Sequence, residues 1–71
     1  MKTIKDIKIN TEYITLGQFI KAVNLISSGG EAKYFLLNEN ILINNELDNR
    51  RGRKLYKEDV IEIQNTIYKI C

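Results

Sequence analysis

The hydrophobic pattern changes period twice along the chain. From Ile7 to Tyr13 (Ile7-Lys8-Ile9-Asn10-Thr11-Glu12-Tyr13) apolar and polar residues alternate, which predicts a strand. The period then lengthens. Leu16, Phe19, Ile20, Val23 and Ile26 recur at i, i+3, i+4, i+7 and i+10, the apolar stripe of a helix. Thr15 opens this helix, because Gln18 completes a Thr15-Leu16-Gly17-Gln18 capping box in which each side chain satisfies an orphan backbone amide. Ser27-Ser28-Gly29-Gly30 ends it; the glycines are expected to supply left-handed backbone and Ser28 to cap the next helix. That short second helix, Glu31 to about Leu37, turns Ala32, Phe35 and Leu36 inward, with Glu31 at its positive end. Separated only by the Ser-Ser-Gly-Gly turn, the two helices should pack together.

From Ile41 onward the period is two. Ile41-Leu42-Ile43 reads as a strand, and Asn44-Asn45 tolerates positive φ, so a tight turn comes next. Tyr56-Lys57-Glu58-Asp59 reads as a second turn. Val60-Ile61-Glu62-Ile63 and Ile67-Tyr68-Lys69-Ile70 then pair around Gln64-Asn65-Thr66. The fold class expected is α+β: two adjacent short helices packed on a small, mostly antiparallel β-sheet. The 71 residues make one domain. A chain of this size buries only about 60% of its unfolded surface, so its stability margin is thin.

Composition narrows the function classes. Hydrophobic residues at 44% and charged residues at 28% are ordinary for a soluble globular protein. No apolar run approaches the ~18 residues of a membrane span, and the N-terminus lacks a signal-peptide core. Cys71 is the single cysteine, so no intrachain disulfide forms, and a reducing cytoplasm is the expected compartment. Catalysis is poorly supported. There is no histidine to shuttle protons near neutral pH, and Cys71 has no base to activate it. The adjacent acids Glu58-Asp59 precede a strand, where an acid caps a turn more often than it moves protons. No cluster offers a metal's ligand set, and Gly29-Gly30 lacks the surroundings of a phosphate loop. Neither enzyme activity, nor a cofactor, nor a metal is expected.

Charge is where the sequence departs from the ordinary. Five of its eleven basic residues (Arg50, Arg51, Arg53, Lys54 and Lys57) fall within eight positions that hold no acid. The other residues carry six bases against nine acids, so the net +2 hides a body of −3 and a patch of +5. Such a patch suits polyanions: arginine forks chelate phosphate oxygens, and each neutralised phosphate releases condensed counterions. Glu46 and Asp48 stand close enough to pair with these arginines, weakly enough for phosphate to displace them. A helix-turn-helix reading is less favoured, since the second helix has only Glu31 and Lys33 as charged residues to offer a DNA groove. Lys33, in its first turn beside the glycine pair, is instead placed where backbone amides attract phosphate.

Taken together, these segments resemble the alpha-L RNA-binding motif, the domain of ribosomal protein S-four. The resemblance covers about residues 14–63. It rests on Thr15-Leu16-Gly17-Gln18-Phe19-Ile20, Ser28-Gly29-Gly30-Glu31-Ala32-Lys33, Ile41-Leu42-Ile43-Asn44-Asn45-Glu46, and Gly52 to Ile63. The stand-alone bacterial proteins of the YaaA/YbcJ type resemble the chain more closely, in length and in three blocks in the same order, Ile14-Thr15-Leu16-Gly17-Gln18-Phe19, Ser28-Gly29-Gly30-Glu31-Ala32-Lys33 and Asp48-Asn49-Arg50-Arg51-Gly52-Arg53-Lys54-Leu55. The resemblance implies RNA binding without catalysis, through Ser28, Gly29, Gly30, Lys33, Arg50, Arg51, Arg53 and Lys54, to which the charge pattern adds Lys57. In one respect the chain departs from the family, which usually carries an arginine at the start of each helix. Here Thr15 and Gly29-Gly30-Glu31 stand at those places, and the charge lies in the loop after Asn44-Asn45.

The expected function is therefore a small non-catalytic RNA-binding protein. It would recognise structured RNA, ribosomal RNA or tRNA, through phosphate contacts of the basic loop and the second helix. A protein-interaction module docking that loop on an acidic partner is the competing class, and a DNA-binding accessory protein the third. The partners expected are thus RNA first, DNA less so, and no membrane, with the chain a monomer.

Overall fold

In chain order the computed structural model, which describes residues 2–71, contains β1 (Thr3–Ile7), β2 (Tyr13–Thr15), α1 (Leu16–Ala22), a 3-10 turn (Gly29–Glu31), α2 (Ala32–Asn38), β3 (Leu42–Ile43), β4 (Glu46–Leu47), β5 (Lys54–Tyr56), β6 (Val60–Ile63) and β7 (Thr66–Ile70). Five strands form one sheet in the order β1-β7-β6-β3-β4; β2 and β5 pair apart from it as a two-stranded ribbon. All pairings are antiparallel except that of β1 with β7, which runs parallel from Thr3 opposite Thr66 to Ile7 opposite Ile70. The α+β class and the two short helices against a mostly antiparallel sheet are as expected.

The periodicities convert directly into the core. From α1 come Leu16, Phe19 and Ile20; α2 supplies Ala32 and Leu36; the sheet face contributes Ile43, Ile61, Ile63, Tyr68 and Ile70. Leu55 enters the same cluster from the ribbon. Phe19 stands edge-on to Tyr68, ring centroids 5.1 Å apart at 87°, and so ties α1 to β7. Full burial of a side chain such as Phe19 is worth roughly 1.5–3 kcal/mol, a large share of what so small a domain has.

Turn chemistry sets the register. Asn44 and Asn45 between β3 and β4, and Gln64 and Asn65 between β6 and β7, all have positive φ, the backbone of a type I′ hairpin. Asn44 also bridges the hairpins. Its Nδ2 donates to Asp59 Oδ1 (3.1 Å) and its Oδ1 accepts from the Val60 N–H (3.0 Å). Asp59 in turn accepts the Tyr56 N–H on Oδ2 (2.8 Å), so this acid does cap the Tyr56–Asp59 turn.

Four expectations need correction. The strand predicted over residues 7–13 is absent as such. Pairing with β7 ends where β7 ends: the Cys71 N–H donates to Ile7 O (2.8 Å) and the Ile9 N–H to Cys71 O (3.0 Å). Beyond that the chain bends away, and the alternation records only that Ile7 and Ile9 point inward. Helix α1 stops a turn early, at Ala22. Asn24 is left-handed (φ 63°), and the bonds Leu25 N–H to Ile20 O (2.9 Å) and Asn24 N–H to Lys21 O (3.1 Å) make a Schellman ending. Ile26 reaches the core from the loop instead. No glycine has positive φ, so the left-handed turn belongs to Asn24 rather than to Gly29 or Gly30. Finally, Ser28 makes no side-chain capping bond; Ser27 Oγ bonds Glu31 Oε1 instead.

Candidate nucleic-acid interface

The basic segment is docked onto the start of α1 by backbone bonds. Both capping-box bonds of Thr15 and Gln18 form, which satisfies the third amide of the helix. The first two amides go to the loop: the Leu16 N–H donates to Arg53 O (2.8 Å) and the Gly17 N–H to Arg51 O (2.9 Å). A helix start normally offers such orphan amides to anions. Here they hold the arginine loop in place, and the anion-binding capacity passes to the side chains that the loop carries.

All three arginines of the chain lie on this loop, and each is held differently. Asp48 organises two of them. Arg50 donates to it from Nη2 (2.8 Å to Oδ2) and Nε (3.1 Å to Oδ1), and the Arg50 N–H also meets Oδ1 (3.0 Å). Arg53 Nε lies 3.2 Å from Asp48 Oδ2, and its Nη1 donates to Lys54 O (3.1 Å). The Arg50 hydrogen bond, with help from the Arg53 charge, pulls the Asp48 carboxyl from 3.8 to about 2. The other expected acid, Glu46, makes no ion pair among the described residues; it lies in β4, opposite Ile43. Arg50 remains 74% exposed and open to a further anion.

Arg51 lies across the helix pair. A Cβ added at Gly17 would stand 2.9 Å from Arg51 Cγ and 3.3 Å from its carbonyl oxygen, and one at Gly29 would stand 3.7 Å from Arg51 Nη2. The side chain therefore passes over one glycine at the start of α1 and reaches the other at the start of the 3-10 turn. The two helix starts lack arginines of their own, and the loop delivers a guanidinium to both. Gly29 is needed neither for backbone freedom nor for room, since 3.7 Å is an ordinary van der Waals separation; it marks how far the Arg51 side chain reaches.

Of the other residues predicted from sequence, Ser28 and Gly30 flank Gly29 on an exposed turn, and Lys33 is exposed on α2. Lys57 is exposed in the turn after β5. Neither lysine takes part in an ion pair among the described residues. The structure thus brings Gly29 to Arg51, while the Lys33 and Lys57 side chains make no hydrogen bond or ion pair with the arginines among the described residues.

Sequence reasoning missed two aromatic residues. The β2–β5 register sets Tyr13 opposite Tyr56, Ile14 opposite Leu55 and Thr15 opposite Lys54. One face of the ribbon therefore turns Ile14 and Leu55 to the core, and the other carries Tyr13, Tyr56, Thr15 and Lys54 outward. The two tyrosine rings are 5.9 Å apart and tilted by 49°, and Lys54 Nζ sits 4.9 Å over the Tyr13 ring. A signal existed in the alternation Lys54-Leu55-Tyr56, which places base and aromatic on one side of a strand.

The chain is similar to a Bacillus subtilis (strain 168) protein described as "Probable ribosome maturation protein RlbA", with 60% identity over 58 residues covering 82% of each chain. Residues 7–71 match the S4 domain family, a span that includes the helix pair, the ribbon and the arginine loop. With the match extending over nearly the whole chain and a relative this similar, the protein belongs to the S4 domain family.

Proposed function

We propose that the chain is a single-domain RNA-binding protein that acts on structured ribosomal RNA during ribosome maturation, gripping the phosphate backbone with the loop from Arg50 to Lys57 and with the start of the helix pair. One observation carries the reading: every arginine of the chain stands on a loop docked to α1, with Arg51 laid over Gly17 and Gly29. Guanidinium groups already oriented, Arg50 and Arg53 by Asp48 and Arg51 over the two glycines, lose little freedom on meeting a phosphate, and they match its oxygens geometrically. Ser28, Gly30, Lys33, Lys54 and Lys57 would border the bound backbone. Membership of the S4 domain family and similarity to a protein named for ribosome maturation support ribosomal RNA as the target. The reading is of a cytoplasmic monomer whose role is binding, not catalysis; it would work with residues 14–63 as its core.

Salt dependence tests the reading. If the five clustered bases each neutralise a phosphate, log K against log salt for ribosomal RNA falls with a slope of about −3.5 to −4.5, using −0.7 to −0.9 per contact. Replacing Arg50, Arg51 and Arg53 together by alanine takes the net charge from +2 to −1. That variant should bind every RNA weakly, with a slope shallower by about 2–3. A flat salt response of the wild-type chain would refute the reading. If partners copurify and survive nuclease, the loop serves an acidic protein surface instead.

A further inference from the structure

Phosphate contacts account for the clustered bases but leave the two tyrosines on the outward face of the ribbon without a use. Tyr56 is 42% exposed there and Tyr13 39%. Tyr56 also forms part of a shallow hollow whose other walls are Arg50, Gly52, Arg53 and Lys54. A side-chain carbon at Gly52 would meet nothing within 4 Å, so the hollow is open above its backbone. An aromatic ring set among three cations is complementary to a nucleotide, which joins a flat π face to an anionic phosphate.

We propose that Tyr56 is the stacking platform for one unpaired base of the bound RNA, with Arg50, Arg53 and Lys54 holding the phosphate of the same nucleotide. This rests on the RNA-binding reading above and adds to it the kind of RNA: a duplex interrupted by a bulged or looped nucleotide. The geometry separates the two tyrosines. Lys54 Nζ lies over the Tyr13 ring, and Tyr13 in turn stands against Tyr56 as its cross-strand partner. Tyr13 therefore buttresses, and Tyr56 receives the base. Cross-strand pairing alone would explain why the rings meet, but not why Tyr56 opens into a hollow walled by cations. Along an A-form helix the base faces are already stacked on one another, so away from the helix ends only a displaced nucleotide can use such a platform.

The test uses the full chain and one two-stranded, blunt-ended RNA duplex made in two forms, fully paired and with a single bulged 2-aminopurine ribonucleotide. The wild-type chain should bind the bulged form more tightly by about 5- to 150-fold, the range for stacking one base on an aromatic side chain. Fluorescence of the 2-aminopurine should fall on binding. Tyr56→Ala should lose both effects and keep the salt slope, whereas Tyr56→Phe, which retains the ring, should keep all three. Equal, salt-dependent affinity of the wild-type chain for the two forms would overturn the stacking site and leave the phosphate reading standing. Absence of salt-dependent binding to either form would overturn both. Because the wild-type comparison and the fluorescence change need no variant, the test holds even if Tyr56→Ala does not fold.

Discussion

Gly17 and Arg51 are matched by size: the glycine leaves room for the arginine stem, and its N–H holds the arginine carbonyl. An alanine there would gain helix propensity, less than the roughly 1 kcal/mol of a helix interior because Gly17 is the second residue of α1, while pushing Arg51 Cγ from a 2.9 Å contact and pressing its carbonyl oxygen at 3.3 Å. Gly17→Ala should therefore leave the unfolding midpoint near that of wild type but weaken RNA binding, acting through Arg51. A double-mutant cycle checks this, since Gly17→Ala added to Arg51→Ala should cost no further affinity; additive losses would mean that the two act separately. At Asp48 the prediction concerns pH. Its carboxyl is held at about 2 in the folded chain against 3.8 ordinarily, so it stabilises above about pH 4 and loses that contribution as pH falls through 2. Urea midpoints should show wild type above Asp48→Asn at pH 5, the gap closing toward pH 2. A gap independent of pH would mean that the carboxylate's charge is not what matters.

Two elements show what a turn can and cannot announce. The hairpins at Asn44-Asn45 and Gln64-Asn65 were legible because residues that tolerate left-handed backbone interrupt a period-two pattern. At the second of the two, Asn65→Gly should raise stability by up to about 1 kcal/mol, relieving a left-handed non-glycine residue at some cost in unfolded-chain entropy. Asn44→Ala should instead lower it by roughly 1–2 kcal/mol, because its side chain spans to Asp59 and Val60. Thermal or urea unfolding of both variants decides; destabilisation by Asn65→Gly would mean that the asparagine side chain has a role of its own. Other elements left no such mark. β1 is exposed from Thr3 to Asp6, so no alternation reveals it, and its order comes from a parallel partner at the far end of the chain. In the candidate site, the arginine cluster was visible as composition. Its docking on α1, and the meeting of Tyr13 with Tyr56, depend on a strand pairing between distant residues that no local pattern encodes.

At the scale of the whole molecule, binding and scaffolding are divided. The helix starts, the ribbon and the arginine loop make up the proposed binding side, and the five-stranded sheet supports them through contacts such as Phe19 on Tyr68. β1 lies at the sheet's outer edge, and all of it before Ile7 falls outside the span matched to the family. Its residues bury little: Ile4 is 70% exposed, and only Ile7 is half-buried. What β1 does supply is cover for β7, whose backbone edge would otherwise be free to pair with another chain. Lys5 and Asp6 add charge along that outer edge, which discourages such pairing. Deleting residues 1–6 should therefore leave RNA affinity and its salt slope unchanged, while lowering stability by a few kcal/mol through lost ladder bonds. The shortened chain should also associate at rising concentration, read by light scattering or sedimentation. If RNA affinity fell while the fold and monomeric state persisted, β1 would belong to the binding side of the molecule, and scaffold and interface would not be separate parts of it.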